Sequence, residues 1–149
     1  MENGAVIIIH YQQGEGTRAD QIYREMLASR EKKFGKKHPL VFESMNDLAK
    51  ALCLQGRYKE AERMHQQIVS WGEEVSGKED RLVLDSMNSL AKVLCLQGHY
   101  ERAERMHRQV VSLGEKALSK EDRLVLDSMN NLAKVLCLQD GYKEAELIS

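Results

Sequence analysis

Seven residues near the middle of the chain, Gly72-Glu73-Glu74-Val75-Ser76-Gly77-Lys78, match the GxxxxGK spacing of a phosphate-cradling loop. Such a loop needs a strand before it and a hydroxyl after the lysine to hold Mg²⁺. Here Glu79 follows the lysine, nothing strand-like leads in, and Glu73, Glu74 and Glu79 would repel a phosphate. The match is read as fortuitous, and no cofactor is expected. Cys53, Cys95 and Cys137 recur at intervals of 42 residues. If each sits at the same place on successive helices about 10 Å apart, the thiols are too far apart to share a zinc with bonds of about 2.3 Å. A nucleophilic thiol needs a base beside it. The regularly placed histidines, His65 and His107, fall on a different segment of the pattern and not beside the thiols. No catalytic residues and no metal ligands are expected, so the chain reads as a non-enzyme. The remaining candidates are the pairs Asn46 and Lys50, Asn88 and Lys92, and Asn130 and Lys134. A spacing of four puts each pair on one helical face. Together they form either a strip of amide and ammonium donors for carbonyls and carboxylates of a partner, or solvated polar residues copied by duplication.

These residues need elements to position them, and the elements come from a repeat. Ser44-Met45-Asn46 returns as Ser86-Met87-Asn88 and Ser128-Met129-Asn130, and Glu79–Gln97 matches Glu121–Gln139 at 18 of 19 positions. The register reaches back through Ala19 and Ala61 to Gln13-Gly14 and Gln55-Gly56. One array therefore spans 1–149: a degenerate partial unit 1–38, units 39–80 and 81–122, and a truncated unit 123–149. Within a unit, Leu84, Met87, Leu90, Ala91 and Leu94 make a helical stripe rather than a strand alternation. Asp80 is placed to cap that helix, and Gly98 to turn the chain. A second helix starts near Tyr100, with Ala103, Met106, Val110 and Val111 on its apolar side. Two such helices cannot bury their faces alone, whereas stacked pairs can. The fold class expected is all-α, a right-handed α-solenoid of antiparallel helix pairs.

Composition agrees with that architecture. With 149 residues, 42% hydrophobic and 30% charged, the chain can build a core without disulfides or metal. One proline and 5% aromatic residues speak against a β-sandwich. The net charge of −1 gives no basic excess for nucleic acid or an anionic membrane. The apolar run Val6–Ile9 is too short for a signal or membrane segment. Three cysteines without a secretion signal fit a reducing compartment, with the cytoplasm as the default location.

The repeated residues resemble the tetratricopeptide repeat in its 42-residue, kinesin-light-chain-like form. The resemblance rests on Met45, Leu48, Ala49, Leu52, Gly56, Tyr58 and Ala61, then on Met87, Leu90, Ala91, Leu94, Gly98, Tyr100 and Ala103. Met129, Leu132, Ala133, Leu136, Tyr142 and Ala145 continue it, with Asp140-Gly141 in place of the simple glycine. The joint Phe34-Gly35-Lys36-Lys37-His38-Pro39 is similar to the light-chain type, while later joints replace His-Pro by Asp80-Arg81 and Asp122-Arg123. The units are also similar to the arrays of fungal NB-ARC and NACHT sensors. The resemblance implies a module that binds proteins and has no chemistry of its own. It implies that the Asn/Lys face lines a concave groove, that Ala49, Ala91 and Ala133 lie at close helix crossings, and that His65 and His107, in the place of a common aromatic, pack in the core or at its edge.

The function expected is therefore a non-catalytic adaptor or scaffold that takes a protein or peptide partner, acidic in character, with no nucleic acid and no membrane. The alternative is a piece of a larger NTPase-type sensor or light-chain-like motor adaptor. Tyr142–Ser149 reads as a shortened second helix. That leaves Leu126, Met129, Leu132, Ala133 and Leu136 incompletely covered, and self-association through this end is expected.

Overall fold

Glycine and aspartate punctuate the chain into helices. A computed structural model describes residues 16–148, which contain six helices and, among the described residues, no strand. They are α1 (Gly16–Phe34), α2 (Pro39–Leu54), α3 (Tyr58–Ser76), α4 (Arg81–Leu96), α5 (Tyr100–Ala117) and α6 (Arg123–Ile148). Val6–Ile9, Gln13-Gly14 and the other residues at 1–15 lie outside the described residues.

The local signals act as anticipated. The Asp80 side chain accepts from the N–H groups of Leu82 and Val83 at 3.0 and 3.4 Å, satisfying donors that the first turn leaves free. Asp122 does the same for Leu124 at 2.9 Å, and His38 Nδ1 accepts from Leu40 at 3.1 Å, with Pro39 opening α2. At the other end of α4, Gly98 adopts φ +84°. Its N–H donates to the Cys95 carbonyl, while His99 N–H reaches back to Leu94. This is a Schellman closure, and it repeats at Gly56 with φ +80° after α2.

The contacts divide the chain into two compact units, Met1–Val75 and Ser76–Ser149. In the first, α1 packs on α2. Asp20 at the start of α1 accepts from Gln55 and pairs with Arg57 at 2.9 Å, and Arg24 reaches Glu60 of α3. Val41, Phe42, Leu48, Ala49 and Leu52 are buried on α2, as are Ala61 and Ile68 on α3. In the second, α5 packs against both α4 and α6. Leu90, Leu94, Ala103 and Val135 form its core, with Tyr100 and Met106 packed against it. The stripe Leu84, Met87, Leu90, Ala91 and Leu94 is buried throughout. Gly114 of α5 lies so close to α6 that an added Cβ would stand 2.6 Å from a Val125 methyl.

The last unit departs from its reading. Asp140-Gly141 does not turn the chain, and α6 runs unbroken from Arg123 to Ile148. The cause is the position of the glycine. Gly56 and Gly98 occupy the left-handed site, and 42 residues after Gly98 that site holds Asp140, which adopts a left-handed backbone less readily than glycine. The glycine has moved one place along, so the helix continues. Ala133, expected at a close crossing, is consequently exposed, whereas Ala49 and Ala91 are fully buried.

Candidate protein-binding surface

The Asn/Lys pair of α4 is engaged, and its occupant is a dipeptide of α6. Asn88 Nδ2 donates to an Asp127 carboxylate oxygen at 2.7 Å, and Asn88 Oδ1 accepts from the Ser128 hydroxyl at 2.7 Å. Lys92 Nζ lies 3.0 Å from the same carboxylate. One turn of α4 thus grips a consecutive Asp-Ser pair with three polar contacts. Burial pushes the Asp127 carboxyl up, but the hydrogen bonds from Asn88 and Lys92 outweigh it and hold the group below its usual range. Asp127 therefore stays ionised and bound. The geometry follows from helical spacing, since Asn88 and Lys92 share a face and Asp127 and Ser128 enter side by side at the start of α6.

The other predicted residues divide by burial. Asn46 is buried, and Lys50 is exposed one turn later on α2. Asn130 and Lys134 are both exposed on α6. Within the second compact unit the structure thus presents one filled pair, Asn88 with Lys92, and one open pair, Asn130 with Lys134. Sequence reasoning missed Asp127 and Ser128 as the occupants. A signal existed, for Asp85-Ser86 recurs as Asp127-Ser128 just ahead of each asparagine.

His65 and His107 are enclosed, as expected of packing residues. Burial lowers the His65 pKa to about 4, helped by Lys50. Burial likewise lowers His107 to about 4, with Lys92 adding to the effect and Asp127 opposing it. Cys53 and Cys95 are half-buried and Cys137 is exposed. Burial raises the pKa of Cys53 and Cys95, away from the thiolate that a nucleophile or metal ligand needs. Gly72 to Ser76 of the GxxxxGK match belong to α3, so their backbone is held in a helix rather than a cradle. An open hollow of about 510 Å³ lies between the start of α5 and the far end of α6, where Tyr100 and Tyr142 sit 5.4 Å apart. Among the described residues no helix is long and apolar enough to cross a membrane.

Capped helix pairs joined by left-handed glycines, with polar pairs at fixed spacing, define an all-α repeat protein of the tetratricopeptide class. The family pattern described as tetratricopeptide repeat matches residues 2–70, 48–116 and 82–148, and the chain belongs to that family. Two crystal structures of a Podosopora anserina putative kinesin light chain with nearly identical TPR-like repeats are similar to it. One, a point-substituted form, aligns with a TM-score of 0.78 at 25% identity, over 95% of this chain and 66% of that one. The other aligns at 0.77 and 25% identity, over 95% and 67%. BtubC (BKLC) from P. vanneervenii shares the fold, with a TM-score of 0.76 at 22% identity over 87% of this chain and 51% of its own. The chain thus spans about two thirds of the first two neighbours and half of the third. No curated protein matches it. Repeats of this family are generally protein-interaction modules and typically non-catalytic scaffolds.

Proposed function

We propose that this chain is a non-catalytic adaptor of the cytoplasm whose repeats take an acidic peptide or protein through the Asn/Lys faces of their first helices. The observation that carries this reading is the hold of Lys92 and Asn88 on Asp127. The face already binds a carboxylate within the molecule, so the chemistry suits carboxylates from elsewhere. Lys50, Lys92, Asn130 and Lys134 are the exposed members of the set, and Asn46 and Asn88 are buried.

The test compares fluorescent Asp/Glu-rich peptides with neutral peptides of equal length, read by anisotropy. The acidic set should bind more tightly and weaken as salt rises. Lys50→Glu with Lys134→Glu should abolish the difference through like-charge repulsion, without changing the circular dichroism spectrum. Lys92 is left unchanged, because a glutamate there would face Asp127. Equal affinity for both peptide sets, or indifference to the double change, would overturn the reading.

The similarity to light-chain repeats from Podosopora anserina favours a second reading, in which the chain forms part of a light-chain-like motor adaptor. Co-sedimentation of the chain with a kinesin motor would separate this from a motor-independent scaffold.

A further inference from the structure

Each first helix of the array carries a leucine four residues after its lysine: Leu54 after Lys50 on α2, Leu96 after Lys92 on α4, and Leu138 after Lys134 on α6. That spacing sets the leucine beside the lysine, one turn further along the same face. The leucines are open, Leu54 at 68%, Leu96 at 57% and Leu138 at 43%, while Leu52 and Leu94 two places earlier are fully buried. Position within the repeat sets this exposure. Leu96 has α2 and α3 before it in the chain and α5 and α6 after it, and it stays open. A further repeat at either end would therefore leave the equivalent Leu54 open too. The lysines beside the leucines differ in one respect. Lys92 is held by Asp127, whereas Lys50 makes no ion pair among the described residues.

We propose that Lys50 and Leu54 of α2 form a two-part docking step for an extended segment of a partner protein, one that carries an acidic residue and, two places on, a large apolar one. This rests on the reading of the chain as a module for acidic partners, and it adds the apolar half of what is recognised. Four residues of helix advance about 6 Å. Residues i and i+2 of an extended segment point to the same side and lie about 6.6 Å apart. The partner carboxylate can thus meet the Lys50 ammonium while its apolar side chain lies on Leu54, taking out of water a leucine that folding alone leaves wet. Charge by itself would accept any acidic segment, and the leucine selects among them. A single exposed leucine is ordinary on a protein surface. Leu54 differs in standing beside an unpaired lysine on the face already read as the binding surface, and the same step returns at Lys134 and Leu138.

The experiment uses the full chain and three labelled peptides of equal length, built from repeated Ser-Glu-Ser-Leu, Ser-Glu-Ser-Ser and Ser-Gln-Ser-Leu, read by anisotropy. The first should bind about five- to tenfold more tightly than the second, the gain expected when a leucine is partly buried. Leu54→Ser with Leu138→Ser should bring the first peptide down to the level of the second, leave the second unchanged, and preserve the circular dichroism spectrum. Val75→Ser, which alters an exposed apolar residue of α3 instead, should change neither. Equal binding of the first two peptides, both tighter than the third, would overturn this inference and spare the proposed function. Equal binding of the first and third would remove the proposed function and this step with it. A leucine advantage that survives the double change would also overturn the inference. So would sedimentation showing that the chain self-associates and that Leu54→Ser abolishes the association, since the step would then belong to a second copy.

Discussion

His107 is enclosed with neither ring nitrogen hydrogen-bonded, and His65 Nδ1 is in the same condition. A ring held this way is stable only when neutral, which is why both pKa values fall to about 4. An unfolded histidine titrates near 6.5. Between pH values of about 6.5 and 4 the unfolded chain therefore binds more protons than the folded one, and stability falls as pH falls. Tm measured by circular dichroism should drop steadily across this window. Asp122 and Asp127, whose pKa values are lowered, add their loss only further down, as pH passes below the ordinary carboxylate range. His107→Phe, which keeps a ring and removes the titration, should flatten the descent between about pH 6.5 and 5. An unchanged slope would show that the imidazole titrates in the fold as it does in the unfolded chain. The packing role of the two histidines was legible in the resemblance, since they stand where tetratricopeptide repeats often carry an aromatic. Their lack of partners was not, since it depends on what surrounds them from other helices.

Among the elements, α6 is the one that departs from what its sequence suggests, and the cause is local. Asp80, Gly98 and Tyr100 act where their types and positions placed them, because capping and turning depend on a few neighbouring residues. At Asp140-Gly141 a glycine is present but one residue late, and the backbone angle decides rather than the composition. Restoring the order tests this directly. Asp140→Gly with Gly141→His recreates the Gly98-His99 turn and should fold residues 142–148 back along α6. Spin labels at Asn130→Cys and Leu147→Cys, in a chain whose native cysteines are replaced by serine, report the change. In the unbroken helix the two backbone positions are about 26 Å apart at about 1.5 Å per residue, and in the double variant the distance should shorten markedly. A distance unaffected by the change would mean that something other than the glycine position keeps α6 straight. The site was legible in the same partial way. Asn88 and Lys92 stood out as a pair by spacing alone, whereas their occupant, 39 residues away for Asn88 and Asp127, required the fold to bring it near.

For the whole molecule, the informative fact is that fold similarity outlasts sequence similarity. A TM-score of 0.78 at 25% identity means that most side chains differ while the helix pairs persist. In repeat proteins stability is close to a sum of units and their nearest-neighbour interfaces. Adding a unit with a competent interface should then raise stability. A second copy of residues 81–122 inserted directly after Asp122 reproduces the Asp-Arg joint found at Asp80-Arg81 and Asp122-Arg123. It also offers Asn88 a fresh Asp-Ser pair. The lengthened chain should keep the same ellipticity per residue and melt at a higher temperature. A lower melting point or a loss of helix per residue would show that the joint does not tolerate its own repetition.

The grip of Asn88 and Lys92 on Asp127 and Ser128 has a consequence for inheritance. Both halves of the fastening are encoded within one 42-residue stretch, as Asp85-Ser86 with Asn88 and Lys92 and again as Asp127-Ser128 with Asn130 and Lys134, so each of these copies carries a hook and an eye. A misaligned crossover between two copies in the gene would delete or add a whole link while leaving each remaining junction intact. The number of links can then vary between lineages in single steps, and selection acts on the reach of the binding surface without first having to repair a seam.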